Sequence, residues 1–304
     1  MKMTEISMDE SQLSDDTPVT VTTAGNVVNI KSVSKKNRHV NMLKLSNDEY
    51  LVVSTGEIKT IEHTDNRSQN INSLLKTLAK LRDLINANVS DPDKLLWATL
   101  TYADNMTDSK QLYDDCHNFY KKLKRYFSSE GMETPEYIAV AEPQERGAWH
   151  IHLLLIWERH APFFPNCKLR KIWGHGFVSI KKVDESCDNI GAYLTPYLTD
   201  LVLSDTDAKK FDLSDDRVKE IQVTEDGKKV TKKVIKGARL YLYPPGMNLF
   251  RHSRGIKKPT SEKMTYKQAK EKVSGATKTF EKSVMLEEES FKSIIYNAYY
   301  NTKR

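Results

Sequence analysis

The chain has few cysteines and no long apolar run. Its three cysteines, Cys116, Cys167 and Cys187, are scattered and have no metal-ligand spacing. This pattern argues against a disulfide scaffold or a zinc site and favours reduced thiols in a cytoplasm. No segment is apolar over the length that a membrane helix needs, and no signal peptide is recognisable. We therefore expect a soluble, cytoplasmic protein with no membrane partner.

Positive charge exceeds negative charge only slightly, but its distribution is uneven. The formal net charge is +6 over 304 residues, which is compatible with nucleic-acid binding and also common in other proteins. Positions 251–272 are strongly basic and follow several aromatic residues, a combination typical of single-stranded DNA contact. A basic tail that only keeps the protein soluble is the alternative. The DNA-contact candidates here are Arg251, Arg254, Lys257 and Lys258.

Composition and hydrophobic periodicity divide the chain into five predicted regions. They are a disordered acidic tail at 1–20, an N-terminal hairpin region with a basic helix at 21–90, a core domain at 91–202, a charged insertion at 203–236 and a basic C-terminal extension at 237–304. Within the core, the periods predict the element order βαββαβα. This order predicts an α+β fold, with an antiparallel sheet and helices on one face, as in ferredoxin-like or RNA-recognition-like domains.

The stretch from Trp149 to Trp157 carries two histidines on a short apolar run. The run is rich in aromatic and branched residues and predicts a β-strand. Because side chains alternate along a strand, His150 and His152 point to the same face. Two neighbouring imidazoles can share one divalent metal ion. The alternative is a pair of core histidines whose nitrogen atoms are satisfied by backbone groups.

A second strand and a turn precede the histidine strand. Residues 137–142 read as a strand and 143–148 as a turn, which together predict a β-hairpin. If the register is even, Glu142 joins the two imidazoles on one face. Two histidines and a carboxylate would suit Mg²⁺ or Mn²⁺ on a phosphate substrate. Otherwise Glu142 is an ordinary carboxylate facing water.

A pair of tyrosines lies downstream of the histidine strand. Tyr193 and Tyr197 are four residues apart, so they would share one face of a helix. A tyrosine can act as a nucleophile on phosphodiesters when a cation stabilises its phenolate. The alternative is an amphipathic helix whose tyrosines pack at the rim of the core.

The order of these elements resembles a known superfamily. The segment Thr99–Tyr102 after an apolar strand, the His150-Ile151-His152 triplet, and the pair Tyr193 and Tyr197 follow one another as motifs one, two and three of HUH endonucleases do. More narrowly, the chain resembles two-tyrosine rolling-circle replication initiators of phages, plasmids and integrative elements of bacteria. The resemblance covers about residues 95–200, and a segment at 236–247 looks like part of Gram-positive members.

The resemblance implies roles for individual residues. His150 and His152 match metal-binding histidines, Glu142 lies where a third polar ligand is often found, and Tyr193 and Tyr197 match the active-site tyrosines. The family usually has a lysine three residues after the first tyrosine, where this chain has Pro196. Proline disfavours a continuous helix here and supplies no cation. The candidates for a compensating cation are Lys181 and Lys182.

The resemblance also implies an activity. We expect a site-specific nickase that uses Mg²⁺ or Mn²⁺, attacks single-stranded or supercoiled origin DNA, and leaves a 5′-phosphotyrosyl link with a free 3′-hydroxyl. A host polymerase would extend that end. A helicase of the host would be needed, because the chain has no Walker-type loop. The alternatives are a relaxase or a transposase of the same superfamily, or a nucleic-acid-binding module without catalysis.

Overall fold

The computed structural model of the chain describes residues 2–6, 13–34, 42–61, 71–144, 147–181, 183, 190–191, 201–202, 218–225, 228–235, 243–244, 246–288 and 291–303. Tertiary contacts divide the chain into two compact units. The terminal unit contains Met1–Asp65 and Lys258–Arg304, and the central unit contains Asn66–Lys257.

The elements are numbered in chain order. Within the described residues the strands are β1 (Lys2–Ile6), β2 (Pro18–Ala24), β3 (Val27–Val33), β4 (Met42–Lys44), β5 (Glu49–Val52), β6 (Glu57–Thr60), β7 (Leu95–Tyr102), β8 (Glu136–Pro143), β9 (Trp149–Ile156), β10 (Gly176–Lys181), β11 (Leu201–Val202), β12 (Val218–Glu225), β13 (Lys228–Ile235), β14 (Phe250–His252), β15 (Thr260–Thr265), β16 (Thr277–Glu288) and β17 (Phe291–Asn301). The helices there are α1 (Ile71–Asn88), α2 (Ser109–Ser129), α3 (Asn166–Trp173), α4 (Tyr266–Lys272) and a short 3-10 helix at Pro92–Lys94. Among these described helices, none combines the length and apolar character needed to cross a bilayer.

The terminal unit is built on a six-stranded antiparallel sheet. Its strand order is β1-β16-β17-β3-β2-β15, and a smaller sheet has the order β4-β5-β6. Helix α4 begins with a capping box in which the Thr265 hydroxyl accepts from the N–H of Gln268. Its buried Tyr266 packs with Ile30 and Tyr296 of the sheet. The two ends of the chain therefore share one hydrophobic core.

This arrangement corrects two of the predicted regions. The acidic composition predicts disorder at residues 1–20, but β1 pairs with β16 and β2 begins at Pro18. A strand with a polar sequence such as β1 suits the edge of a sheet. The predicted extension at 237–304 is also divided, because β14 belongs to the central unit and the strands after it belong to the terminal unit.

The central unit contains the predicted α+β core. Its main sheet is fully antiparallel, with the order β10-β7-β9-β8-β14. The first four strands follow the split βαβ pattern of a ferredoxin-like domain, as the periods predict. The histidine strand β9 occupies the middle of the sheet. In the predicted insertion, β12 and β13 form a hairpin that pairs Glu225 with Lys228.

Both faces of the main sheet carry helices. One face packs against α2 and α3 through the residues Leu96, Ala98, Leu100, Ile151, Leu153 and Leu155. The other face packs against Leu81, Leu84 and Ile85 of α1 through the residues Leu95, Trp97, Leu154 and Ile156. The α+β prediction, with α2 and α3 on one face, is confirmed, and α1 adds a helix on the second face. Because β7 and β9 are apolar on both sides at this end, a second helix is needed to bury them.

The core between the sheet and α2 should dominate the stability of the central unit. Phe127 is fully buried and its ring centroid lies 5.7 Å from that of Trp157 and 5.3 Å from that of Phe164. Replacing Phe127→Ala should lower the free energy of unfolding by about 3–5 kcal/mol, because it removes buried apolar surface and leaves a cavity. Urea unfolding followed by tryptophan fluorescence measures this, since all four tryptophans lie in the central unit.

The matched control is Phe163→Ala. Phe163 is 91% exposed in the same unit, so its replacement should change the free energy of unfolding by no more than about 0.5 kcal/mol. Equal losses for the two variants would contradict the assignment of the core.

Candidate active site

The strand register brings the predicted ligands to one face of the central sheet. Glu142 of β8 lies directly opposite His150 of β9. On the other side of β9, Thr101 lies opposite His150 and Thr99 lies opposite His152. Residues paired in this way point to the same side of a sheet. The even register that joins Glu142 to the two histidines is therefore present, and we call this side the histidine face.

The ring of His152 is held at both nitrogen atoms. Its Nε2 atom lies 2.5 Å from Oε2 of Glu142, and its Nδ1 atom lies 3.2 Å from the Thr99 hydroxyl. The side chains of Glu142 and His152 are only 5% and 11% exposed. Buried polar groups of this kind depend on their partners, so the contacts fix the orientation of the ring.

The donor chemistry of this face suits a divalent cation. Two imidazoles and one carboxylate can bind an ion and leave coordination positions for substrate oxygen atoms. Across the described ranges of the chain, however, no three His, Cys, Asp or Glu side chains are already gathered as an ion site. Glu142 and His152 contact each other directly, so an ion bound between them would have to separate the two side chains.

The two predicted nucleophiles, Tyr193 and Tyr197, lie outside the described residues. The described residues closest before them are Ile190 and Gly191. Ile190 is buried in the core cluster that α1 forms with the histidine face. The N–H of Gly191 donates to Oδ1 of the buried Asn86 on α1, at 2.8 Å. The chain just before the tyrosines therefore packs on α1, on the histidine side of the sheet.

The close approach at Gly191 explains why a glycine is needed there. A Cβ atom at this position would collide with the backbone oxygen of Arg82 and would lie 2.8 Å from Oδ1 of Asn86. Any larger residue would push the segment away from α1.

One of the predicted cations lies on the histidine face. Lys181 pairs with Trp97 at the sheet edge, and its Nζ atom lies 5.8 Å from the centroid of the Trp97 ring. Lys182 lies outside the described residues. Lys181 is exposed and is thus available to a phosphate.

The other predicted DNA contacts do not form one cluster. Arg251 pairs with Ala139, on the face away from the histidines, and its guanidinium carbon lies 3.6 Å from the ring centroid of Tyr113. Arg254 and Lys257 are exposed in the central unit, whereas the exposed Lys258 belongs to the terminal unit. Sequence proximity predicts a continuous basic surface, and the strand pairing of β14 divides it instead.

Sequence reasoning does not identify a polar cluster near the end of β7. The buried carboxylate of Asp115 accepts hydrogen bonds from the Tyr102 hydroxyl at 2.9 Å and from Gln111 at 2.8 Å. Nε2 of His175 lies 3.7 Å from the same carboxylate. The signal for this cluster is the polar pair of Gln111 and Asp115, four residues apart on the apolar side of α2.

Tyr102 is not a candidate nucleophile, although it ends the Thr99–Tyr102 segment. Burial, together with its hydrogen bond to Asp115, raises the pKa of the Tyr102 phenol well above its usual range. The phenol therefore stays protonated.

A comparison with known families matches the core of the central unit. Residues 95–201 match a family model described as replication-associated protein, of the ORF2 type. The matched range contains the histidine strand, Glu142 and both tyrosines, and it indicates a role in replication. No curated protein and no solved structure matches the chain.

The contact between Glu142 and His152 predicts energetic coupling between them. His152→Ala leaves a buried carboxylate without its ring partner and should lower the free energy of unfolding by about 3–5 kcal/mol. In a double-mutant cycle with Glu142→Ala, the combined loss should be smaller than the sum of the single losses by about 0.5–3 kcal/mol. Urea unfolding provides the four values.

His117→Ala is the control for this cycle, because His117 is exposed on α2. It should be additive with Glu142→Ala. Additive losses for His152→Ala would mean that the two side chains do not act as a pair.

Proposed function

We propose that this protein is a rolling-circle replication initiator that nicks and rejoins single-stranded origin DNA. The match to replication-associated proteins supports the general role. The observation that carries the chemistry is the pairing of Glu142 with His152, in register with His150, on the side of the sheet where the tyrosine segment begins. That combination puts ligands for a cation and the approach of a nucleophile on one surface.

The proposed metal ligands are His150, His152 and Glu142, with Mg²⁺ or Mn²⁺ as the cation. When bound, the ion supplies charge that polarises the scissile phosphate. The Thr99 hydroxyl and the Glu142 carboxylate orient the His152 ring from its two sides, so the ring keeps its direction as the substrate enters.

The proposed nucleophile is Tyr193, with Tyr197 as the second tyrosine. The phenol oxygen forms a bond to phosphorus while the bond from phosphorus to the 3′ oxygen breaks. The phenol loses a proton and the departing 3′ oxygen gains one, so the step is balanced and leaves a 3′-hydroxyl and a 5′-phosphotyrosyl link. The link conserves the phosphodiester energy, which allows the strand to be rejoined.

Chain geometry supports this choice of nucleophile. Two peptide units connect Gly191 to Tyr193, so their Cα atoms are at most about 7 Å apart. Gly191 is bound to α1 on the histidine side of the sheet, and Tyr193 is therefore tethered near that side. Lys181 supports the phosphate in place of the lysine that Pro196 replaces, because it is the described cation candidate on the histidine face.

The partners that follow from this proposal are origin DNA, supplied as a single strand or as a supercoiled duplex, and a host polymerase that extends the 3′-hydroxyl. A host helicase would separate the strands. A relaxase or a transposase would use the same site, whereas a non-catalytic module would bind DNA without cutting it.

The direct test is a nicking assay on supercoiled DNA that carries the cognate origin, with Mg²⁺ or Mn²⁺ and with a chelator. We expect nicked circles and a denaturation-resistant protein–DNA adduct with the metal, and neither with the chelator. His150→Ala and the double variant Tyr193→Phe, Tyr197→Phe should abolish both products, because they remove a ligand or both nucleophiles.

The controls are His117→Ala and Tyr126→Phe, which alter the same residue types on α2 and should nick normally. An adduct that survives in the double tyrosine variant would refute the assignment of the nucleophile. Origin binding without any cleavage would favour the non-catalytic alternative.

The contact of Gly191 with α1 gives a separate prediction. Gly191→Ala should reduce the rate of adduct formation on the order of 100-fold, because displacing a reacting group by about 1 Å has effects of that size. Asn86→Ala should reduce the rate in the same direction, because it removes the acceptor of the Gly191 N–H. A quenched-flow assay of the adduct measures both rates. Wild-type rates in both variants would show that this contact does not position the tyrosines.

A further inference from the structure

One side of the edge strand β10 is exposed. Phe177, Ser179 and Lys181 alternate with the half-buried Val178 and Ile180, which face the core under α2 and α3. The ring of Phe177 is 59% exposed, although a phenylalanine gains stability by burial. An exposed aromatic residue at a fixed position in a strand is more informative than one on a loop.

Phe177 lies in the same cross-strand row as the metal-ligand candidates. It pairs with Thr101, which pairs with His150, which pairs with Glu142. Adjacent strands are about 4.8 Å apart, so the backbone of Phe177 lies about 10 Å from that of His150. The ring therefore stands on the histidine face, within reach of a nucleotide close to the scissile phosphate.

Cationic side chains surround this ring. The guanidinium carbon of Arg170 on α3 lies 5.0 Å from the centroid of the Phe177 ring. A cleft of about 1010 Å³ opens beside Phe177, and Arg170 and Lys171 contribute to its lining. Lys181 provides a third positive charge farther along β10. Aromatic rings combined with a basic groove are the features by which proteins bind single-stranded nucleic acid.

We propose that Phe177 stacks on a base of the single DNA strand next to the nick site, with Arg170 holding the ring and the neighbouring phosphate. This inference rests on the proposed function and names the residue that positions the strand. Stacking accepts any base, because every base has a flat π surface. Phe177 would therefore fix the position of the strand relative to His150, and it would not read the sequence.

The test measures binding apart from cleavage. Fluorescence anisotropy in the presence of a chelator compares two probes of about 20 nucleotides, a length that exceeds one single-strand binding site. The first probe is oligothymidylate, and the second is an abasic chain with the same backbone. Phe177→Leu should weaken binding of oligothymidylate by about 5- to 150-fold, the range for loss of one stacked base. Binding of the abasic probe should change less than about twofold, because the backbone contacts remain.

Two further variants separate stacking from charge. Phe177→Trp should retain the affinity for oligothymidylate, since it keeps an aromatic surface. Lys181→Ala should reduce the salt dependence of binding by about 0.7 in the slope of log K against log salt, whereas Phe177→Leu should leave that slope unchanged. The matched control is Phe280→Leu, which alters an exposed phenylalanine of the terminal unit and should bind both probes as the wild type does.

Wild-type affinity of Phe177→Leu for oligothymidylate would overturn the proposal. Equal losses on the two probes would also overturn it, because the ring would then act on the backbone or on the fold. A wild-type protein that binds oligothymidylate through Phe177 but forms no adduct with origin DNA would support the stacking position and refute nicking. The two proposals can therefore fail independently.

Discussion

The antiparallel register between β8 and β9 is the constraint on which the candidate site depends. Because side chains alternate along a strand, a shift of one residue would turn His150 and His152 towards the core under α2. The register is fixed by residues of opposite character on the same strand. Ile151 and Leu153 are buried against α2 and α3, so the histidines between and beside them must point the other way. The hydrophobic core thus sets the direction of the proposed metal ligands.

The histidine face is itself divided into a structural half and a functional half. Towards the end of β9, Leu154 and Ile156 are buried under α1. Towards its start, polar residues occupy the same side, and the pair of Glu142 and His152 replaces apolar packing there. A buried pair of this kind contributes less stability than apolar side chains of similar size. The adjacent apolar half, covered by α1, supplies the burial that the polar half gives up.

Much of this site was predictable from local patterns, and the rest was not. Alternation around His150 and the turn before it predict the hairpin and the pairing with Glu142, since both depend on residues close in sequence. The helix α1 is also predictable, but its partner is not, because a leucine stripe fits any apolar surface. Long-range strand pairing carries even less local signal. For that reason the pairing of β1 with β16, and the turn of Arg251 away from the histidines, became evident only in the folded chain.

The two edges of the central sheet differ in a way that bears on how a DNA strand could reach the histidines. At the β14 edge, Phe250 of the histidine face packs against the cluster that contains α1. At the β10 edge, Phe177, Ser179 and Lys181 on the same face are exposed. Within the described residues, apolar packing therefore closes one side and leaves the other open to solvent. A strand that crosses β10 meets an aromatic ring, then the Thr101 position, then His150, and this order matches the needs of an enzyme that must hold a flexible chain before cutting it.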